Sequence, residues 1–386
     1  MFNFTALPPL SLYIHIPWCV RKCPYCDFNS HTASDKLPEM AYVDALLADL
    51  EQECPLVWGR TVQSIFIGGG TPSLFSADAY DRLFSGLRAL LPLKTDAEIT
   101  LEANPGTFEA ARFRDYRQLG INRLSIGIQS FNNAALEKLG RIHDGTEAQK
   151  AVEIAYQSGF DNVNLDLMFG LPGQTEAEAI NDVRTAIALQ PQHISYYQLT
   201  IEPNTLFYQQ PPTLPDDDPI IDWQEANQAR LAEAGYLQYE VSAYAKAGKQ
   251  CRHNVNYWQF GDYLGIGAGA HGKLSDAASQ SITRRVKQKQ PQAYLETAGS
   301  DKRLLKSETL NTRDIGFEFM LNALRLSEGV PTPLFQQHTG VPLGQFDRAL
   351  QQAEALELLE YDIQRIRPTE KGKRYLNTLI ELFLPQ

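Results

Sequence analysis

Three of the five cysteines in this chain of 386 residues lie close together near its N-terminus. Cys19, Cys23 and Cys26 form a CxxxCxxC pattern. Three thiolates on one short loop suit an iron–sulfur cluster and leave one metal position open to a further ligand. Structural zinc normally takes four closed ligands, and a redox dithiol takes CxxC beside a helix, so neither explains the third cysteine. A zinc site completed by a distant His or Cys is the alternative.

The segment that contains these cysteines, residues 13–26, resembles the cluster loop of the radical S-adenosylmethionine (SAM) enzymes. In that superfamily three cysteines bind three irons of a 4Fe–4S cluster, and SAM chelates the fourth iron through its amino and carboxylate groups. The resemblance therefore implies that Cys19, Cys23 and Cys26 hold a 4Fe–4S cluster and that SAM is a cofactor.

The elements that must position this loop alternate along the first half of the chain. Strands are predicted at residues 12–16, 64–67, 98–102, 123–128, 162–168 and 193–199. Amphipathic helices are predicted at 77–91, 110–119, 146–158 and 176–189, and an apolar stripe at Val43, Leu46, Leu47 and Leu50 indicates another. Strand–helix alternation of this kind indicates a parallel sheet, either doubly wound or curved into an incomplete barrel.

Chemically unusual residues follow the C-terminal ends of these strands, where the loops of a barrel converge on an active site. The cysteine loop follows the first predicted strand, a Gly-Gly-Gly-Thr run the second, and Glu102 the third. Radical SAM enzymes have an open six-stranded (β/α)6 barrel. The resemblance implies this α/β fold for residues 1–205.

The resemblance extends to the oxygen-independent coproporphyrinogen dehydrogenases over about residues 11–275. It implies further SAM contacts at Tyr13, Tyr25, Gly69, Gly70, Thr71, Glu102, Gln129, Arg141 and Asp166. Glycine allows close approach of the backbone to a ligand, although a simple strand-to-helix turn would also use it. Carboxylates at the tips of apolar strands need partners when buried, and these are either a ligand or the barrel itself.

Two features depart from the dehydrogenases. Those enzymes carry a fourth cysteine two positions after the third, where this chain has Phe28, and they have a longer stretch before the cluster. In both features this chain resembles the HemW-type heme chaperones.

An HNxxYW motif at residues 253–258 is a further distinguishing feature. A neutral imidazole can ligate heme iron, and Tyr and Trp offer flat apolar faces, although a lone histidine beside aromatic residues is more often structural. The resemblance to the chaperones implies heme binding by four residues of the motif, His253, Asn254, Tyr257 and Trp258. Cys251 is a rival axial ligand, and the absence of CxxCH argues against covalent heme attachment.

A GxGxxG pattern at residues 267–272 lacks the strand-turn-helix context of a dinucleotide site. We expect it to be a glycine-rich turn that lines the cofactor cavity, with His271 as a second heme contact.

Beyond the barrel, residues 206–300 are predicted to be a connecting and heme-binding segment. It contains a proline-rich loop at 211–219 and a helix at 220–234. Residues 301–386 resemble the small helical, winged-helix-like tail of porphyrin-linked radical SAM proteins. Thr369 is predicted to cap its last helix, at 370–383.

The balance of charge argues against a general polyanion-binding surface, because 35 Lys and Arg face 46 Asp and Glu, for a net charge of −11. No nucleic-acid partner is therefore expected, and the basic run at 284–287 is predicted to be a solvated face. No signal peptide and no membrane span are apparent, which predicts a cytoplasmic protein whose thiols stay reduced.

Two hypotheses of different classes follow. The preferred one is a heme chaperone that binds heme and transfers it to an acceptor haemoprotein, with release controlled by the cluster and SAM. The alternative is a radical SAM enzyme that decarboxylates coproporphyrinogen III and draws on an electron donor to cleave SAM to a 5′-deoxyadenosyl radical. Phe28 and the short N-terminus disfavour the enzyme, and His253 favours the chaperone.

Overall fold

Most strands of the protein join in one twelve-stranded sheet. The computed structural model describes residues 2–33, 36–106 and 110–385. In chain order the strands are β1 Leu10–Ile16, β2 Trp18–Cys19, β3 His31–Thr32, β4 Val62–Gly69, β5 Leu93–Ala103, β6 Arg123–Gln129, β7 Val163–Phe169, β8 His193–Gln198, β9 Leu237–Glu240, β10 Ala243–Ala245, β11 Asp262–Ile266, β12 His271–Asp276, β13 Ser281–Lys287, β14 Leu304–Thr309, β15 Val330–Pro331, β16 Leu359–Tyr361 and β17 Arg365–Pro368.

Helices occupy the crossovers between the parallel strands and most of the C-terminal region. The α-helices are α1 Glu39–Glu53, α2 Ala77–Leu90, α3 Phe113–Leu119, α4 Asn133–Lys138, α5 Gly145–Gln157, α6 Glu176–Ala188, α7 Leu206–Gln209, α8 Asp217–Glu233, α9 Arg252–Trp258, α10 Pro291–Thr297, α11 Ile315–Ala323, α12 Thr332–Thr339, α13 Asp347–Ala355, α14 Glu370–Arg374 and α15 Leu376–Glu381. Short 3₁₀ helices lie at Cys54–Val57, Pro72–Leu74, Asp301–Arg303 and Leu343–Phe346.

The six predicted strands are confirmed as neighbours in the order β1-β4-β5-β6-β7-β8. Every pairing among them is parallel. Their apolar residues are buried, as the near-continuous hydrophobic runs of a covered parallel sheet require. In α1, Val43, Leu46 and Leu50 of the predicted stripe are fully buried in the same core, and Leu47 packs against it. The result is the open (β/α)6 barrel of the radical SAM fold.

Residues beyond 205 add strands to both edges of this sheet, which the sequence did not indicate. β11 pairs in parallel with β1, and β12, β13 and β14 follow it in antiparallel order. At the opposite edge β10 pairs with β8 and β9 with β10, both antiparallel. Residues 206–300 therefore contribute sheet as well as the helix that carries HNxxYW.

The prediction of a solvated face at residues 284–287 is wrong. The run belongs to β13, and Lys287 is buried with Nζ bonded to a carboxylate oxygen of Asp49 and 2.6 Å from Oε1 of Glu53. Arg285 pairs with the same Glu53 at 2.5 Å. Arg303, also buried, pairs with both carboxylates as well. Lys287 and Arg285 therefore belong to an internal ion network between α1 and the added strands, and Arg284 pairs with Glu318 of the tail.

The tail has its own apolar core and a small sheet of order β15-β17-β16. The sequence of α11, β15, α12, α13, β16 and β17 is the winged-helix-like order that was expected. Thr369 caps α14 as predicted, since its Oγ1 accepts from Gly372 N at 2.9 Å. The single helix predicted at 370–383 is instead two helices, α14 and α15, because Tyr375 leaves helical geometry with ψ of 42°.

One further helix begins earlier than the sequence predicts. Helix α8 begins at Asp217, within the proline-rich loop, because Pro219 is tolerated in a first turn, where its missing N–H is not needed. Phe2 and Phe4 of the N-terminus are buried in the core of the tail. In the described ranges, no helix is both long and apolar enough to span a bilayer.

Candidate functional site

The cysteine loop lies at the C-terminal end of β1 and is fixed at its base by backbone hydrogen bonds. β2 pairs in parallel with β3, so that Cys19 lies opposite Thr32. The loop is also tied to the neighbouring strand end, since Thr71 N donates to Trp18 O at 2.7 Å. The loop is therefore held in place before any ligand binds.

The three thiols of the loop are free and differ in their surroundings. Cys19 is buried and hydrogen-bonded to Thr71, whereas Cys23 and Cys26 are half-buried. Arg141 Nη1 lies 3.7 Å from Cys23 Sγ, and Ser30 Oγ lies 3.7 Å from Cys26 Sγ. Burial raises the pKa of the Cys19 and Cys26 thiols. A bound metal centre would supply the positive charge that the thiolates need.

In the part of the chain that is described, no three His, Cys, Asp or Glu side chains converge on a single metal ion. A 4Fe–4S cluster makes a different demand, because each of its thiolates binds a separate iron. The donor set of three free thiols on one tied loop, with a cation beside one of them, fits that cluster.

Arg141 connects the cysteine loop to two strand ends. Its Nη2 donates to Asn104 Oδ1 at 2.7 Å and to the carbonyl of Gly127 at 2.6 Å. Asn104 in turn donates to Thr71 Oγ1 at 3.1 Å. Among the described residues, the buried Arg141 Nε has no hydrogen-bond partner. No role is predicted for Asn104 from the sequence. Its only distinguishing feature there is a polar side chain just past the end of an apolar strand.

The carboxylates of Glu102 and Asp166 lie in the same region of the barrel and are electrostatically coupled. Glu102 Oε2 accepts from Gly69 N at 3.1 Å. Burial, and to a smaller extent the charge of Asp166, raises the pKa of the Glu102 carboxyl from 4.5 to about 7. Asp166 accepts from Ser125 Oγ at 3.1 Å and from Asn164 Nδ2 at 2.8 Å, and burial raises its pKa as well. Asp166 is thus largely satisfied by the barrel, whereas Glu102 retains capacity for a ligand.

Backbone geometry at two strand ends explains the residues found there. Gly69 has φ of +115°, and a Cβ at this position would lie 2.5 Å from the ring of His15. Gln129 has a left-handed φ of +68° although it is not glycine, a conformation that few non-glycine residues adopt. Its Oε1 accepts from Tyr197 Oη at 2.9 Å. The sequence did not predict Tyr197 as a site residue. Its neighbour Tyr196 has the same residue type, and the sequence does not show which of the two faces the interior of the barrel.

A cavity of about 660 Å³ opens beside the cysteine loop. From the predicted SAM set, Tyr13, Gly69 and Glu102 line it, and from the HNxxYW motif Tyr257 does so. Gly269 and His271 also line it, which confirms the glycine-rich turn as a wall of the cavity. The remaining predicted SAM residues lie outside the lining: Tyr25, Gly70, Thr71, Gln129, Arg141 and Asp166.

His253 lies in α9, one layer behind the cavity. It is 1% exposed, with Nδ1 3.1 Å from Ser64 Oγ and Nε2 2.8 Å from Tyr257 Oη. Burial, and then the charge of Arg123, lowers its pKa to about 3, so the ring is neutral. A neutral imidazole is the form that ligates iron, and here both of its nitrogens are engaged within the protein. Its role as a heme ligand stays a prediction.

The other predicted heme residues are distributed around α9. Asn254 is half-buried, and the indole of Trp258 packs against the guanidinium of Arg325 at 4.4 Å, on the side of the tail. Cys251, the rival ligand, is fully buried with Sγ 3.5 Å from Glu98 Oε1. Burial raises the pKa of this thiol to about 12.

The fold and the cysteine loop define the class of protein. Residues 13–186 match the family model of the Radical SAM superfamily, and residues 310–375 match the HemN C-terminal domain. The solved structure of coproporphyrinogen III oxidase (HemN) from Escherichia coli, a radical SAM enzyme, superposes with a TM-score of 0.82. It is 24% identical and the match covers 98% of this chain and 90% of that one, so it establishes the fold. Radical SAM proteins use a 4Fe–4S cluster and SAM.

Curated relatives narrow the class to one family. The heme chaperone HemW of Escherichia coli K12 is 51% identical over 385 residues, which cover 98% of this chain and 99% of the relative. The heme chaperone HemW of Haemophilus influenzae is 52% identical over 388 residues, with 98% and 99% covered. The chain belongs to the HemW family of heme chaperones.

Proposed function

We propose that this protein binds heme and transfers it to an acceptor haemoprotein, and that a 4Fe–4S cluster with SAM at the cysteine loop controls release. One observation carries the proposal: a single cavity is lined both by residues next to the cluster cysteines and by Tyr257 of the HNxxYW helix. Its volume of about 660 Å³ is in the range of cofactor sites. The names of the relatives, heme chaperones over nearly their whole length, support the same function.

Cys19, Cys23 and Cys26 would hold the cluster, which together with SAM supplies redox chemistry when bound. Gly69 brings its backbone to the wall of the cavity, and Glu102 offers a carboxylate there. Arg141 contributes indirectly, since it holds the cysteine loop through Cys23 Sγ. Tyr13, Tyr25, Gly70, Thr71, Gln129 and Asp166 complete the proposed SAM set.

For heme, Tyr257 is the member of the motif that meets the ligand first, since it lines the cavity. His253 becomes an iron ligand once its Nε2 gives up the 2.8 Å bond to Tyr257 Oη. Asn254 and Trp258 belong to the same proposed site, in which Trp258 braces the helix against Arg325. Heme binding therefore couples to a rearrangement inside α9.

We propose that the protein acts in the cytoplasm, because all five of its cysteines are unpaired. SAM cleavage during transfer would require an electron donor as a further partner.

The experiment that tests the function uses anaerobically reconstituted protein. Heme is titrated while the Soret band is followed, and the loaded protein is then mixed with an apo-haemoprotein in the presence and absence of SAM and reductant. We expect stoichiometric heme uptake and transfer that depends on the cluster. A parallel incubation with dithionite, SAM and coproporphyrinogen III follows decarboxylated products. Formation of these products above a cluster-free control would show an enzyme instead.

A further inference from the structure

Phe28 stands at the mouth of the cavity with its ring in solvent. It lines the cavity and is 61% exposed, immediately after the cluster loop. A ligand that packs against this ring displaces water from its face, which favours the binding of an apolar surface at the rim. The rim therefore offers an apolar contact to a ligand in the cavity.

The backbone around Phe28 is held firmly. Asn29 Nδ2 donates to Ala268 O at 2.9 Å and to Lys289 O at 2.8 Å. Lys22 Nζ donates to the carbonyl of Phe28 at 3.3 Å. One amide thus ties the backbone of the Phe28 loop to that of Lys289.

Two lysines, Lys22 and Lys289, line the cavity together with two acidic residues, Asp27 and Glu102. Burial lowers the pKa of His31 and of His271, so these rings, which also line the cavity, add no positive charge at neutral pH. In the described ranges neither lysine forms an ion pair with a carboxylate. Two lysines without counter-ions in the lining that also contains the exposed ring of Phe28 match a flat apolar ligand that carries carboxylates at its edge.

We propose that Phe28, Lys22 and Lys289 form a subsite for the propionate edge of heme, in which the lysines pair with the propionates and Phe28 packs against the macrocycle. This rests on the proposed function and adds to it residues outside the HNxxYW motif. Phe28 then determines specificity directly: where the dehydrogenases carry a cysteine, this chain carries the ring that receives the ligand.

The test compares heme with heme dimethyl ester, in which both carboxylates are masked. We expect Lys289→Glu to weaken heme binding about tenfold through the lost and reversed charge, and to leave the affinity for the ester unchanged. Phe28→Ala should weaken both ligands about tenfold, because an aromatic contact is lost in each case. Phe28→Tyr keeps the ring and should restore wild-type affinity. Raising the salt concentration should weaken heme but not the ester.

Matched controls lie outside the cavity. Lys150→Glu reverses an exposed charge on α5, and Trp58→Ala removes a ring that is 87% exposed. Both should bind heme like wild type, and cluster content should be equal in all variants. Wild-type protein that binds heme and its ester equally well, or a Lys289→Glu variant with unchanged heme affinity, would overturn the subsite alone. Wild-type protein that takes up no heme would overturn the proposed function and the subsite with it.

Discussion

Arg141 donates through Nη1 to the sulfur of Cys23 at 3.7 Å, while Nη2 of the same guanidinium is held by Asn104 and the carbonyl of Gly127. A positive charge is thus fixed beside one thiolate of the cysteine loop by two strand ends. Charge and hydrogen bonds to the cysteine sulfurs are among the factors that set the potential of an iron–sulfur cluster.

Replacing Arg141 by Gln should lower the reduction potential of the reconstituted cluster. The lost cation no longer favours the more negative, reduced state, and we expect a shift on the order of 60 mV, the one-electron equivalent of tenfold in an equilibrium constant. A potentiometric titration followed by visible absorbance measures it. Arg141→Lys keeps the positive charge but loses the planar set of N–H donors, and its reduction potential should lie between those of wild type and Arg141→Gln. An unchanged potential in Arg141→Gln would mean that the contact with Cys23 has no electrostatic role.

Replacing Cys23 by Ser should abolish the cluster, because one iron loses its thiolate. Iron and sulfide content after anaerobic reconstitution are the measurement. Cys54→Ala is the matched control, since its thiol lies at the end of α1 against the carbonyl of Leu90 at 3.8 Å. A full cluster in Cys23→Ser would remove Cys23 from the ligand set.

His253→Gln should lower heme affinity about tenfold or more and change the Soret band, while cluster content stays the same. Gln can still bond to Ser64 and Tyr257, which limits damage to the fold. Cys251→Ala serves as the comparison, because its buried thiol, with a pKa raised to about 12, is poorly suited to act as a thiolate ligand. If the spectrum changes in Cys251→Ala and not in His253→Gln, the axial ligand has been assigned to the wrong residue.

The cluster-free protein should lose stability as pH rises through the titration of Glu102. The unfolded chain releases the proton near pH 4.5, whereas the folded protein keeps it to about pH 7. The folded state therefore binds more protons between these values, and the free energy of unfolding falls with rising pH by about 3 kcal/mol from this group. Urea unfolding at about pH 5 and about pH 7.5 checks it. In Glu102→Gln this part of the pH dependence should vanish, and equal slopes in the two proteins would disprove the raised pKa.

Lys287→Met should destabilise the fold by about 2 to 3 kcal/mol, because Asp49 and Glu53 lose one buried counter-ion while Arg303 still pairs with both. Urea unfolding of the cluster-free protein is the measurement. Lys306→Met removes an exposed partner of Glu308 and should change the free energy of unfolding by about 1 kcal/mol at most. Equal effects of the two substitutions would mean that the internal ion network contributes no more than a surface pair.

The barrel could be predicted because its strands are continuous apolar runs, and the cysteine loop because its spacing is specific. The added strands β9 to β14 could not be predicted, since they are short and several are partly polar. Lys287 illustrates the difficulty: its partner Asp49 is 238 residues away in the chain, and a basic run without that partner is typical of a surface.

Within the site, the sequence indicated which residues gather at the strand ends, and not how they are connected. The left-handed backbone of Gln129 and its bond to Tyr197 depend on the register of β6 with β7, which shifts between Gly127 and Gln129. The burial of His253 was not predictable either. The sequence of an HNxxYW motif is the same whether its histidine faces a cavity or, as here, contacts a serine and a tyrosine of the protein itself.

Helix α9 joins the two flanks of the sheet. The chain leaves β10 beside β8, passes through α9, and enters β11 beside β1. The length of this covalent connection limits how far the two sides of the open barrel can separate, whatever the strength of the contacts around it.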